Sequence, residues 1–239
     1  MQIIKYLQLP FFFDAGLLQQ EVAALSAMQW QPHYQVKHYE GEWSAIPLRS
    51  IAGKVDDIII SPVSNGDYRD TVFLDTSPYL QQVLLAFKCS LQAVRLLKLN
   101  AGSTIKEHRD AELNFEKGEI RLHIPVLTHA DVEFFLDKEK IDLKEGECWY
   151  MNFNLPHSIS NKSSINRIHL VIDALVNDWI KEIFTGEACP VMFQESLLMI
   201  RSIRTSMAFI GAGRAAISSW RSRATSGREM PSQMVSRII

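Results

Sequence analysis

Between residues 94 and 176 the chain is a succession of short apolar segments separated by turn signals. They are VRLLKL, EIRLHIPVLT, VEFFLD, KIDL, ECWYMNF, SISN and RIHLVIDALV. Strand-length runs at such regular spacing suggest a barrel or a sandwich. Upstream, AGLLQQEVAALSAMQ and SPYLQQVLLAFKCSLQ repeat apolar residues at i, i+3, i+4 and i+7, the signature of amphipathic helices that would brace one face of the β structure. The second of these offers Ser77 as N-cap and Pro78 at the first helical position. DDIIISPV and DTVFLD read as strands, and the N-terminal stretch as a first strand followed by a helix. The expected fold class is therefore mainly β with flanking helices.

At 239 residues the chain is long enough to bury roughly 70% of the surface its unfolded form exposes, so it needs no covalent staples. A net charge of -2 argues against a general nucleic-acid binder, and no run approaches the ~20 apolar residues of a membrane span. The N-terminus carries Lys5 and Pro10 inside its apolar patch and lacks a small-residue cleavage site. Cys89, Cys148 and Cys189 are widely spaced and form no C-x-x-C, which favours reduced, buried thiols and a cytoplasmic setting. From about Trp179 the composition changes: no lysine follows Lys181, and seven arginines fall between Arg201 and Arg237, with Glu195 and Glu229 the only acids after Glu187. Residues 1–178 are read as one β domain with its bracing helices, and residues 179–239 as a helical, Arg-rich C-terminal appendage. The chain is expected to work as a monomer or homodimer, without nucleic acid or membrane as partner.

Within the strand series lies His108-x-Asp110, followed 47 residues later by His157 and ten residues after that by Arg167. On an extended chain, residues one and three of H-x-D point to the same side, so His108 and Asp110 can share an ion. Two imidazoles and one carboxylate hold Fe(II) on one face and leave its other positions open. In NRIHLVID, alternation puts Arg167, His169 and Val171 on one face, and Ile168, Leu170 and Ile172 on the other. An arginine on such a strand needs a buried anion, and its planar fork suits a carboxylate such as the distal end of 2-oxoglutarate. Arg121 and His123 project together from RLHIP in the same way, towards either a cofactor or an acid inside the barrel. Trp43, Ser44 and Arg49 form a polar-aromatic group suited either to substrate recognition, with Arg49 as a fork for an amino-acid carboxylate, or to a structural role. His33, His38 and His129 read as surface residues.

The segments EHRD, GEIRLHIPV, KEGECWYMNFNLPHSISN and NRIHLVID, with weaker likeness through WSAIPLRS and SPYLQQVLLAFKCSLQAVRLLKL, resemble the aspartyl/asparaginyl β-hydroxylase family of Fe(II)- and 2-oxoglutarate-dependent oxygenases, which includes bacterial proline hydroxylases. The resemblance implies a double-stranded β-helix (jelly-roll, cupin-like) core. In it His108 and His157 would bind iron, Arg167 would pair with the C5 carboxylate of 2-oxoglutarate, and Arg121 with His123 would line the cofactor or substrate pocket. O2 would be the second cosubstrate. Animal peptide-hydroxylating members have glycine where Asp110 stands, so the full triad here makes bacterial amino-acid hydroxylases the closer comparison. The expected substrate is a free or carrier-linked amino acid, proline-like, with hydroxylation of Asp, Asn or other residues in a peptide or protein as the alternative. A non-catalytic cupin-like binding protein is the third reading, disfavoured by the intact ligands.

Overall fold

The computed structural model describes residues 3–25, 30–58, 66–111 and 113–186. In chain order the elements are β1 (Tyr6–Phe12), α1 (Ala15–Leu25), β2 (Gln31–Pro32), β3 (Tyr39–Glu40), β4 (Trp43–Ile51), β5 (Tyr68–Asp70), α2 (Val72–Asp75), α3 (Pro78–Leu85), β6 (Leu91–Leu99), β7 (Thr104–His108), β8 (Glu119–Leu127), β9 (Val132–Leu136), β10 (Glu139–Lys140), β11 (Glu147–Met151), β12 (His157–Asn161), β13 (Arg167–Leu175) and α4 (Asp178–Thr185). Among the described residues the strands form two antiparallel sheets. The larger runs β1-β11-β8-β13-β6-β4-β2, with β5 paired to β4, and the smaller runs β10-β9-β12-β7-β3. This is a jelly roll, the double-stranded β-helix.

The core lies between the sheets. Trp43, Leu97, Leu99, Met151 and Val171 come from the larger sheet, and Ile105, Phe134, Leu136 and Ile159 from the smaller. Strand β13 is buried on both faces along nearly its whole length. Its outward side chains Leu170 and Ile172 are fully buried, and a helical layer backs this sheet, with α1 against β8 and α2 against β4. That double burial explains why RIHLVIDAL is apolar at outward positions and polar only inward.

Several boundaries differ from the sequence expectation. DTVFLD is not a strand: Asp70 ends β5, and Val72–Asp75 form the helical turn α2. Helix α3 stops at Leu85, and Leu91 and Gln92 belong to β6, because the apolar run continues across two elements. In DDIIISPV, residues 59–63 lie outside the described residues. So do Cys189 and residues 187–239, with the Arg-rich stretch. The described part of the 179–239 segment is α4, which docks by Ile180 and Ile183 and by rings: Phe184 stacks on Phe115, and Trp179 meets Phe11.

Ser77 sits at the N-cap of α3, but its hydroxyl donates to the Phe73 carbonyl and makes no cap bond. The first free amides of α3 are satisfied from elsewhere. Glu21 on α1 accepts from Tyr79 N at 2.7 Å and Leu80 N at 2.8 Å, one amide per carboxylate oxygen. A negative charge there also meets the positive end of the helix. Replacing Glu21 by Ala should therefore cost about 1–2 kcal/mol, the range of a lost N-cap. Urea unfolding of the variant beside wild type measures this. A midpoint unchanged by the substitution would show that water replaces the carboxylate at no cost.

Candidate metal and cosubstrate site

Strands β7 and β12 pair so that His108 and His157 are direct cross-strand partners, with ring centroids 4.2 Å apart. Asp110 lies two residues past the end of β7, where its amide donates to the Phe153 carbonyl at 2.9 Å. One donor atom from each of His108, Asp110 and His157 falls within 4.8 Å of the others. The expected triad is thus brought together. Its H-x-D is only half on a strand, since the ladder ends at His108 and a backbone bond to the Phe153 loop fixes the aspartate instead.

Each imidazole has its tautomer set by a carbonyl. His108 Nδ1 lies 2.8 Å from Lys106 O, and His157 Nδ1 lies 3.1 Å from Leu155 O. A carbonyl can only accept, so a neutral ring carries its proton on Nδ1 and keeps the Nε2 lone pair for a ligand. Burial, reinforced by neighbouring His108, lowers the His157 pKa to about 4, so this imidazole is neutral at ordinary pH. Two imidazole nitrogens and one carboxylate oxygen form a donor set that fits Fe(II) or a similar divalent ion.

The larger sheet supplies the opposite wall of a cavity of about 540 Å³ including its mouth, lined among others by His33, Trp43, Arg95, Arg121, His123, Phe153 and Arg167 together with the triad. Arg167 is 2% exposed and, among the described residues, has no acidic partner: one nitrogen, Nη2, lies 3.0 Å from His169 Nδ1, and Nε has no hydrogen-bond partner there. Burial without a counter-ion lowers its pKa to about 9. His169 Nδ1 accepts from that guanidinium, and His123 Nδ1 lies 3.3 Å from the same atom. His123 Nε2 is buried and, among the described residues, has no partner.

Arg121 has a different environment from the one expected of a cofactor ligand. Its Nε and Nη2 pair with Asp173 at 2.6 and 3.0 Å, and Nη1 donates to Asp110 Oδ2 at 2.7 Å. Burial opposes its charge, but the two carboxylates outweigh that and keep it firmly protonated. It lines the cavity with its fork already occupied.

Trp43 lines the cavity as expected, but Arg49 does not. Its guanidinium pairs with Asp70 across the β4–β5 ladder and donates to the carbonyls of Tyr68 and Leu91, so each of its three nitrogens has a partner at the sheet edge. Arg49 thus stands outside the lining of this cavity. His33, read as a surface residue, is 4% exposed, lines the cavity and stacks on Trp43 with centroids 3.4 Å apart. Alternation could not reveal it, because β2 ends at Pro32 and His33 joins the sheet only through the bond from its amide to Trp43 O. Two further buried residues were missed: Arg95 in VRLLKL and Asp173 in NRIHLVID, both at inward positions of strands and joined at 2.7 Å. Both described cysteines are free thiols. Burial pushes Cys89 up to about 12 and Cys148 higher still, so neither offers a thiolate at ordinary pH.

The jelly roll thus brings two histidines and an aspartate together in the lining of one cavity, which a buried arginine also lines. The aspartyl/asparaginyl β-hydroxylase family model matches residues 14–176, and the chain belongs to that family. It is 27% identical over 164 residues to the L-proline cis-4-hydroxylase of Rhizobium meliloti (strain 1021), an alignment covering 67% of this chain and 57% of that one. To the L-proline cis-3-hydroxylase 2 of Streptomyces sp it is 25% identical over 164 residues, covering 67% and 56%. The chain thus spans little more than half the length of these curated relatives. Among solved structures, an oxidoreductase of the 2OG-Fe(II) oxygenase family from Burkholderia pseudomallei matches 71% of this chain and 85% of its own, at 14% identity and a TM-score of 0.46. No helix of the described residues is long and apolar enough to cross a membrane.

Burial lowers the pKa of four histidines here: His33 to about 3, His157 to about 4, and His123 and His169 well below the usual imidazole range. In the unfolded chain each titrates near 6.5, so below that pH the unfolded state binds more protons than the folded one. Stability of the metal-free protein should be full above about pH 6.5 and fall as the pH drops towards 4, by up to about 1.4 kcal/mol per pH unit for each histidine. Urea melts at about pH 7.5 and pH 5 test this. Equal midpoints would mean that these imidazoles protonate as readily in the folded chain as in the unfolded one.

Proposed function

We propose that the chain is an Fe(II)- and 2-oxoglutarate-dependent dioxygenase that hydroxylates a free or carrier-linked, proline-like amino acid. The observation that carries this reading is the pairing, in one cavity, of three ready metal donors with an arginine that has no counter-ion. The proline hydroxylases among the relatives favour a small amino-acid substrate. Bound iron would supply oxygen activation coupled to oxidative decarboxylation of 2-oxoglutarate. Everything else falls to the protein.

In this reading His108 and His157 offer their Nε2 lone pairs and Asp110 one carboxylate oxygen. Arg167 takes the distal carboxylate of 2-oxoglutarate in a charge-assisted pair, which relieves the cost of an unpaired buried cation. Arg95, whose Nη2 is taken by Asp173, lines the same cavity and supplies a second positive charge for a substrate carboxylate. Trp43 and Phe153 give apolar walls against which a pyrrolidine-sized ring can rest, and they keep water from the reacting carbon.

The test uses purified protein and anaerobic titration. His157→Ala should abolish Fe(II) binding and turnover, whereas Arg167→Ala should keep the iron. Losing a charge-assisted pair worth about 1.5–3 kcal/mol should weaken 2-oxoglutarate by roughly one to two decades. Asp110→Gly should lower iron affinity while the fold persists. Turnover of 2-oxoglutarate is then followed across free amino acids and peptides. Full iron affinity in His157→Ala would sink the triad assignment, an unchanged KM in Arg167→Ala would move the anchor elsewhere, and oxygen gain on peptides alone would reassign the substrate.

A further inference from the structure

Asp173 is 1% exposed and lies on the β13 face that alternation shares with Arg167, His169 and Val171. It is opposite Arg121 in the β13–β8 register. Its Oδ1 takes Arg121 Nε, and its Oδ2 takes Arg121 Nη2 together with Arg95 Nη2. Burial alone would raise this carboxyl, but the two guanidiniums outweigh it and hold it ionised. A planar guanidinium gripped at two nitrogens cannot swivel about its stem, so the direction of its third nitrogen is fixed as well. That third nitrogen, Nη1, donates to Oδ2 of Asp110.

Asp110 needs such a restraint. It lies beyond the last ladder residue of β7, and its side chain is 24% exposed, so the backbone alone leaves the carboxylate free to turn. With Oδ2 held by Arg121, the oxygen left for the imidazoles is Oδ1, 3.8 Å from His108 Nε2. We propose that Asp173 is a positioning residue of the candidate metal centre, which acts through Arg121 to present Asp110 by one oxygen only. A carboxylate so held occupies one coordination position instead of two, and keeps a further one open for the cosubstrate. The inference rests on the reading of the triad as a metal site.

Co(II) serves as the probe, because its visible spectrum reports the number and arrangement of donors independently of turnover. Asp173→Asn keeps the shape of the side chain and loses the charge that grips Arg121. Folded by circular dichroism, it should bind Co(II) about 10- to 100-fold more weakly, as loss of a partner behind a metal ligand does, with an altered spectrum. Arg121→Lys retains the positive charge but cannot hold both carboxylates in one plane, and should give the same change. If the residues act in series, the double variant should be no weaker than the worse single one. Unchanged affinity and spectrum in Asp173→Asn, or effects that simply add, would overturn the inference. Should Asp173→Asn fail to fold, Arg121→Lys decides alone, and wild-type affinity in it counts against the proposal. A wild-type chain that binds no Co(II), or binds it equally after His157→Ala, overturns the metal-site reading itself and this inference with it.

Discussion

The buried pairing of Arg121 with Asp173 is the interaction on which the rest of the site depends. Both groups are almost fully buried, and an isolated charge at that depth is far too costly to keep. Removing one partner of such a pair typically costs about 3–5 kcal/mol, a large part of a domain's stability. The pair also specifies register. A slip of one residue between β8 and β13 would turn Asp173 to the helical layer and leave Arg121 against apolar side chains. The register that this ion pair enforces is the one that sets His123 beside His169 and Arg167 at the head of the cavity.

The charges then divide in an informative way. Arg121 is satisfied by two carboxylates, Arg95 by one carboxylate through one nitrogen, and Arg167 by none. Burial accordingly lowers Arg95 and Arg167, while Arg121 stays firmly charged. The gradient runs from a structural arginine to one whose charge the protein leaves uncompensated. Fold stability gains nothing from the last arrangement, and the carboxylate proposed for this site would supply the missing charge. The same logic covers the imidazoles, whose protons sit on the carbonyl side and whose lone pairs face one another's neighbourhood.

What the sequence made legible is what period and spacing encode. Alternation along RIHLVID put Arg167, His169 and Val171 on one face, and the register agrees, because a strand buried on both sides must sort its polar residues strictly. The H-x-D…H spacing led to three side chains that meet. Elements fixed by tertiary contact were beyond reach. The α3–β6 boundary is hidden because Leu85 to Gln92 gives no strong break in hydrophobicity. The cap of α3 comes from Glu21, 58 residues away from Tyr79 in sequence, where Ser77 was the local candidate. The places of His33 and Arg49 were hidden for one reason: they follow from what crosses these residues, Trp43 stacked on the one and Asp70 paired with the other. Asp173 was passed over inside RIHLVIDALV, and its partner across β8 shows why that position is polar.

The two sheets also supply different chemistry. Candidate metal donors stand on the smaller sheet and the loop after β7, at a strand end and a strand start, where the backbone is free to aim a side chain. The guanidiniums stand in the middle of β6 and towards the ends of β8 and β13 in the larger sheet, where ladders on both sides and a helical layer behind make the backbone rigid. A cation site needs donors that converge from a few atoms, which strand ends provide. An anion anchor needs a long side chain held straight across a dry cavity, which central strands provide. Arg121 is where the two meet, because its fork is rooted in the rigid sheet and its last nitrogen reaches the flexible aspartate. The aspartate therefore inherits its orientation from the ladder of β8 and β13, and the geometry of the candidate metal centre is set by the larger sheet although none of its donors is part of it.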